Sequence, residues 1–348
     1  IDEIGKGACG AGARGGPGRV PPIASSFKLY VLGELARQVS AGQASWDELL
    51  PIDAAYISQP NGDMRDLPVG SSYPLSYFAE QMISISDNTA TDHLIARLGR
   101  EQVESSFARM GQRDPTVNVP LMLTREWFAM RMRFTDDQLL GYANANDTER
   151  RDILQHEADP VAATLLETDL WPGQAWAPEI EWFASSADLC RALAWLQQES
   201  EQPGMHPVLD ALSLQPEIVF DPQVWAYVGF KGGYETGVLS ENFLLQRFDG
   251  LLGPARAQQS PTAQLFAVCR WRQRSQQAEG LLKATLAVQQ PGIEQTGFLM
   301  LRVAVQQAGH QRAGLQVVAT LGQTGGQIEG GLGQVHFAPE GLGGFCVP

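Results

Sequence analysis

Lysine is scarce in this chain. Its 348 residues include only four, Lys6, Lys28, Lys231 and Lys283. The four cysteines, Cys9, Cys190, Cys269 and Cys346, lie far apart with no C-x-x-C pair, and the five histidines show no ligand spacing with them or with carboxylates. That pattern argues against a zinc site, and no metal is expected. No apolar run approaches the roughly 20 residues that a membrane-spanning helix needs. Residue 1 is Ile, and no basic stretch followed by an apolar one opens the sequence, so no signal peptide is visible and the compartment stays unknown. Positive charge is also in short supply, with 25 Lys and Arg against 39 Asp and Glu and a net charge of -14. Residues 1–20 carry three basic and two acidic groups, and residues 250–348 seven and four, so the segment between holds -18. With so acidic a body and no basic stripe interleaved with aromatics, a nucleic-acid partner is not expected.

Composition divides the chain into three. Residues 1–20 hold seven glycines and read as a glycine-rich leader. Residues 21–249 read as an ordinary mixture of helices and strands. From residue 250 to 348 no Asp, Asn or Tyr occurs, although turns usually draw on Asn and Asp. This tail still shows strand-like alternation in "KATLAVQQ", "FLMLRVAVQQ" and "LQVVATLG", so it can form strands.

In the middle segment, "FKLYVLGELARQV" sets Phe27, Val31, Leu32, Leu35 and Val39 on one helical face, with Gly42 as the stop. "PLSYFAEQMISI" predicts a second helix with Ser76 as its N-cap. "TATDHLIARLGREQVESSFARMG" predicts two helices divided at Gly99, and "LTREWFAMRM" and "ASSADLCRALAWLQQ" two more. "WAYVGFKGGYETGVLSENFLLQRF" predicts a β-hairpin.

Ser25 and Lys28, three residues apart at a helix start, share a face, so their side chains are expected at about hydrogen-bond distance. A serine hydroxyl becomes a nucleophile when a base takes its proton, and a lysine serves once burial lowers its proton affinity. Ser26 lacks that partner, since residue 29 is Leu. Ser86-Asp87-Asn88 interrupts a helix and presents a hydroxyl and an amide. Lys231 sits on an apparent edge strand before two glycines, where a ligand can approach the backbone closely.

In that order, the serine–lysine pair, Ser-Asp-Asn and Lys-Gly-Gly resemble the signature of penicillin-recognising serine hydrolases, above all the class A β-lactamase-related branch. The resemblance covers residues 21–249. It implies an α+β fold, an antiparallel sheet flanked by helices plus an all-helical subdomain. It also implies a small-molecule β-lactam, ester or amide as partner, no cofactor, and favours a periplasmic or secreted setting. Residue by residue, it implies Ser25 as nucleophile, Lys28 as its base, Ser86 as proton donor to the leaving group, and Lys231 as the group that orients Ser86 and attracts a substrate carboxylate. Asn88 is implied to hold the substrate side chain or Lys28, and the backbone of Gly233 and Tyr234 to line the substrate, with the N–H groups of Ser25 and Tyr234 forming the oxyanion hole.

Three departures from the family pattern bear on activity. Gly232 stands where the family carries a hydroxyl, with Thr236 a substitute for the missing substrate contact. The family's deacylating glutamate has no matching motif, which leaves Glu167, Asp169, Glu179 and Glu181 open. The Ser86–Lys231 gap is long, which predicts an enlarged helical region around residues 105–175. At the ends, the family takes strands from before the serine helix, and either the tail replaces them or the ends are foreign to the fold. Three activities fit: β-lactam hydrolysis, esterase or DD-peptidase-type chemistry, and slow β-lactam binding as a sensor or biosynthetic accessory.

Overall fold

The apolar stripe after Ser25 predicts a helix buried on one face. In the computed structural model this helix, α1 (Lys28–Ser40), is buried all round over residues 28–36. Its polar members have partners. Glu34, fully buried, accepts from Arg37 at 2.8 Å and Gln38 at 2.9 Å, and is ion-paired with Arg109. Gly33 is required by its neighbour, since a Cβ there would lie 2.2 Å from the Met110 sulfur.

The structure describes residues 20–59, 61–165, 180–214, 220–235 and 238–247, and the backbone of strands at 264–273, 282–288, 298–306, 314–322 and 334–336. Among the described residues the further helices are α2 (Leu75–Ser84), α3 (Asn88–Leu98), α4 (Arg100–Arg109), α5 (Thr124–Arg133), α6 (Asp136–Asn144), α7 (Asp147–Ile153), α8 (Asp159–Ala162), α9 (Ser186–Ser200) and α10 (Pro207–Ser213). A π-helical stretch, Leu154–Ala158, joins α7 to α8. Gly99 divides α3 from α4 with φ +92°, and α5 to α8 lie within the stretch 105–175 where an enlarged helical region is expected, of which residues 166–175 lie outside the described residues. Ser76 is not an N-cap. The extended residue Pro74, which ends a short strand, leads directly into α2 at Leu75, and the Ser76 N–H donates to Trp46 O. No described helix is long and apolar enough to cross a membrane.

The fold is α+β. Strands β1 (Leu49–Pro51) and β2 (Ser72–Pro74) form a small antiparallel pair. The main sheet is an antiparallel meander of β3 (Trp225–Glu235), β4 (Val238–Arg247), β5 (Gln264–Gln273), β6 (Leu282–Val288), β7 (Phe298–Gln306), β8 (Gly314–Gly322) and β9 (Gln334–His336), in chain order with β3 at one edge. Among the described residues no strand from before the serine helix joins it. Pro22 makes only one bridge, to Phe183. The described part of the tail instead extends the sheet from β4 outward. The core lies among α1, α3, α4 and α9, where Tyr30 stacks on Phe107 at 4.2 Å. Each large side chain buried there contributes roughly 1.5–3 kcal/mol.

Candidate active site

Ser25 sits in a tight 3-10 turn, Ala24–Phe27, that runs directly into α1. The turn is built from both sides. Ile23 N–H donates to Trp182 O at 2.8 Å, and Phe27 stacks on Trp182 at 4.2 Å. Between them Ala24 is forced to φ +45°, a left-handed conformation that costs on the order of 1–3 kcal/mol in a non-glycine residue. The turn leaves Ser25 half-buried and Ser26 fully buried. Ser26 Oγ donates to Ser240 Oγ at 2.9 Å and accepts from Asn242 Nδ2 at 2.8 Å, so this hydroxyl fastens the turn to β4. Strand alternation hides that use of Ser240 and Asn242 in the sequence, because any inward polar residue of a strand reads alike.

Lys28 is fully buried, and its Nζ donates to Ser86 O at 2.6 Å, Asn88 Oδ1 at 2.8 Å and Ser86 Oγ at 3.1 Å. The expected Ser25–Lys28 hydrogen bond is not formed. Among the described residues Ser25 Oγ has no hydrogen-bond partner, because the carbonyl and amide oxygens across the cleft are better acceptors for the ammonium than a hydroxyl. Burial lowers the Lys28 pKa to about 7, opposed by the charges of Asp87 and Asp92. Lys231 is likewise buried, and its Nζ donates to Ser86 Oγ at 3.0 Å and Gly232 O at 2.8 Å. Burial first, and then the charge of Lys28, pushes its pKa well down. One hydroxyl oxygen is thus held between two lysines.

The loop around Ser86 explains the rest of Ser-Asp-Asn. Asp87 is a buried N-cap of α3: Oδ1 accepts from Ala90 N at 2.7 Å, and Oδ2 accepts from Met64 N at 2.8 Å. Gly62 lets this carboxylate in, since a Cβ there would lie 2.2 Å from it. Ser86 itself has φ +60°. Asn61, exposed, donates from Nδ2 to Ser86 O at 3.0 Å and accepts the Asn88 N–H on its own carbonyl. Nothing in the sequence pairs Asn61 with Ser86, 25 positions away.

Gly233 lies against the serine turn, where a Cβ would sit 2.1 Å from Ile23 O and 2.8 Å from Ser26 N. Only glycine brings β3 this close. Tyr234, 56% exposed, points to the other face of β3. Thr236, Glu167, Asp169 and Glu179 lie outside the described residues. Glu181 is described and is buried against Glu235 of β3, where burial and then that second carboxyl raise its proton affinity well above the usual carboxylate range.

Residues 11–180 match the model of the beta-lactamase enzyme family. Over that segment, just under half of the chain, the sequence is similar to the beta-lactamase enzyme family. The Lys231-Gly232-Gly233 element lies beyond the matched segment and is brought beside Ser86 by β3. No curated protein matches the chain. Among solved structures it is similar to "PBP-A" at 17% identity and TM-score 0.46, over 74% of this chain and 75% of that one. It is also similar to a beta-lactamase from Sphaerobacter thermophilus at 20% identity and TM-score 0.46, over 73% and 76%. A third is a beta-lactamase from Chitinophaga pinensis at 16% identity and TM-score 0.45, over 75% and 80%.

Proposed function

We propose that this chain is a serine hydrolase of the beta-lactamase type that opens β-lactams through an acyl-enzyme on Ser25. The observation that carries the reading is Ser86 Oγ held between Lys28 Nζ at 3.1 Å and Lys231 Nζ at 3.0 Å, with Lys28 poised to be neutral near pH 7. Ser25 Oγ attacks the lactam carbonyl carbon while its proton passes to neutral Lys28 Nζ. The Ser25 and Tyr234 N–H groups hold the developing oxyanion. The C–N bond then breaks, the leaving nitrogen takes the Ser86 hydroxyl proton, and Lys28 returns one to Ser86. Lys231 fixes Ser86 and supplies positive charge for a substrate carboxylate, with Asn88 holding Lys28 in place.

A second reading, slow release of the acyl group, is favoured by one observation. Glu181, the described candidate for the deacylating base, is turned toward Glu235 and away from water. In that case the protein binds β-lactams covalently and turns over little.

The test is intact-mass spectrometry after exposure to a chromogenic cephalosporin and to a nitrophenyl ester. A β-lactam adduct on the wild-type chain that is absent from Ser25→Ala, together with hydrolysis, supports β-lactam turnover. A long-lived adduct without turnover selects the second reading. Reaction with the ester alone selects an esterase, and no adduct from either reagent overturns the nucleophile.

A further inference from the structure

Two glutamates, Glu181 buried and Glu235 half-buried, have no part in that chemistry, yet they flank the turn that carries Ser25. Glu235 ends β3, directly after Tyr234, and strand alternation puts it on the same face as Lys231 and Gly233, with both carboxyl oxygens buried. Glu181 directly precedes Trp182, whose carbonyl accepts the Ile23 N–H at 2.8 Å. Residues 180 and 182 are fixed to the helical region. Trp127 Nε1 donates to Ile180 O at 2.9 Å, and Trp182 Nε1 to Met122 O at 3.2 Å. The pair therefore bridges a rigid support under the serine turn and the tip of the strand packed against its other side.

Their oxygens are poorly served. Glu181, 4% exposed, accepts from Trp182 N on Oε2 at 3.1 Å, while its Oε1 and both oxygens of Glu235 are buried with no hydrogen-bond donor among the described residues. Arg131 of α5 acts on both carboxyls through its charge, with its guanidinium 5.5 Å over the Trp127 ring. Arg150 and Tyr142 line the small cavity that Glu181 borders, and Lys231 lies four residues back along β3. Two ionised carboxylates facing one another without donors are strongly disfavoured in such a site. One proton held between them removes the repulsion and gives the orphaned oxygens a partner. Burial drives the proton affinity of both groups upward in the same direction.

We propose that Glu181 and Glu235 share one proton, and that this carboxyl–carboxylate bond clamps the tip of β3 onto the Ser25 turn, setting the spacing of the Tyr234 and Ser25 N–H groups. Both are positioning residues, and the catalytic consequence rests on the acyl-enzyme reading above. With one proton the pair carries a single negative charge and the clamp is closed. Loss of that proton doubles the charge, and the repulsion pushes the β3 tip from the turn. Acylation therefore has an alkaline limb that belongs to the pair, separate from the acid limb set by Lys28.

The experiment follows acylation of the full chain by a chromogenic cephalosporin from about pH 6 to about pH 9.5, and thermal melting over the same range, for the wild type and Glu235→Gln. A glutamine amide donates to Glu181 at every pH. The wild-type rate is expected to fall at least threefold on the alkaline side and the variant's rate is not, as for a single titrating group. The melting temperature gives an independent readout. An unfolded carboxyl loses its proton near pH 4.3 and the folded pair keeps one to higher pH, so folding takes up a proton and stability falls as pH rises across that window. Glu235→Gln removes this slope, and Glu181→Gln should do the same from the other side. Glu235→Ala, with no donor, should slow acylation at least tenfold at all pH values, and Gln should restore it. An alkaline limb and melting slope that persist in both Gln variants overturn the clamp. If the wild type is acylated at no pH, the acyl-enzyme reading fails by itself, and the melting slopes still decide whether the proton is shared.

Discussion

Lys28 meets three acceptors with one ammonium group, yet burial leaves it only weakly able to keep its third proton. Only the neutral amine can take a proton from Ser25. Its pKa of about 7 therefore predicts that acylation rises with pH through about 7, from a protonated and inactive Lys28 to a neutral one. Stopped-flow acylation by a chromogenic cephalosporin measures this limb, and Lys28→Ala should lose it along with at least a hundredfold in rate. Ser26 gives the complementary prediction. Ser26→Ala deletes the fastening to Ser240 and Asn242, which should cost about 1–3 kcal/mol in denaturant unfolding, while mass spectrometry still finds the adduct on Ser25. At this scale the sequence motifs single out Lys28, Ser86 and Lys231, whose side chains the fold brings within hydrogen-bond distance. The sequence was silent on Asn61, Asn242 and the Glu181–Glu235 pair, because those meetings depend on which distant segments the fold lays side by side. The expected Ser25–Lys28 bond failed for the same reason, since the acceptors that draw Lys28 away come from a loop some 58–60 residues on.

Among the elements, the edge strand β3 and the serine turn are fitted to each other through a single missing side chain. Gly233→Ala would put a methyl group 2.1 Å from Ile23 O, where neither backbone can give way without moving the turn or the strand. The variant should lose at least 1–3 kcal/mol in denaturant melts, in line with overpacking of a tight site, and nearly all acylation. Acylation at the wild-type rate would show that β3 can shift freely. Gly232 is different. The three atoms nearest a Cβ there all belong to the Tyr234 side chain, which can rotate away, so Gly232→Ser should fold and would supply the hydroxyl that the resembled family carries. Element boundaries were mostly legible, since periodicity marks α1 to α5, α9 and the β3–β4 hairpin. The misplaced Ser76 cap shows the limit: a serine near a helix start looks like a cap whether or not the preceding strand already fixes that start, as Pro74 does here.

At the level of the whole molecule, the oddest stretch of sequence is bound into the sheet that holds the site. Residues after 249 lack Asp, Asn and Tyr altogether, and their composition alone suggests an appendage. Yet β5 pairs with β4 along ten positions, from Val238 with Gln273 to Arg247 with Gln264, and α9 packs over the same strand. β4 in turn carries Ser240 and Asn242, which hold the serine turn. Removing β5 would leave β4 as a ten-residue open edge directly behind the site, an arrangement prone to pairing with other chains. A chain cut after Asp249 should therefore aggregate or melt well below the full chain, and should lose acylation in the same step. A chain cut after Gln273 keeps β5 and should stay monodisperse in size-exclusion chromatography with the Ser25 adduct still forming, because β6 to β9 only add strands one at a time to the far edge. Equal stability and acylation in the two truncated chains would mean that the tail is an appendage after all, and that β4 needs no neighbour to hold Ser26 and the turn in place.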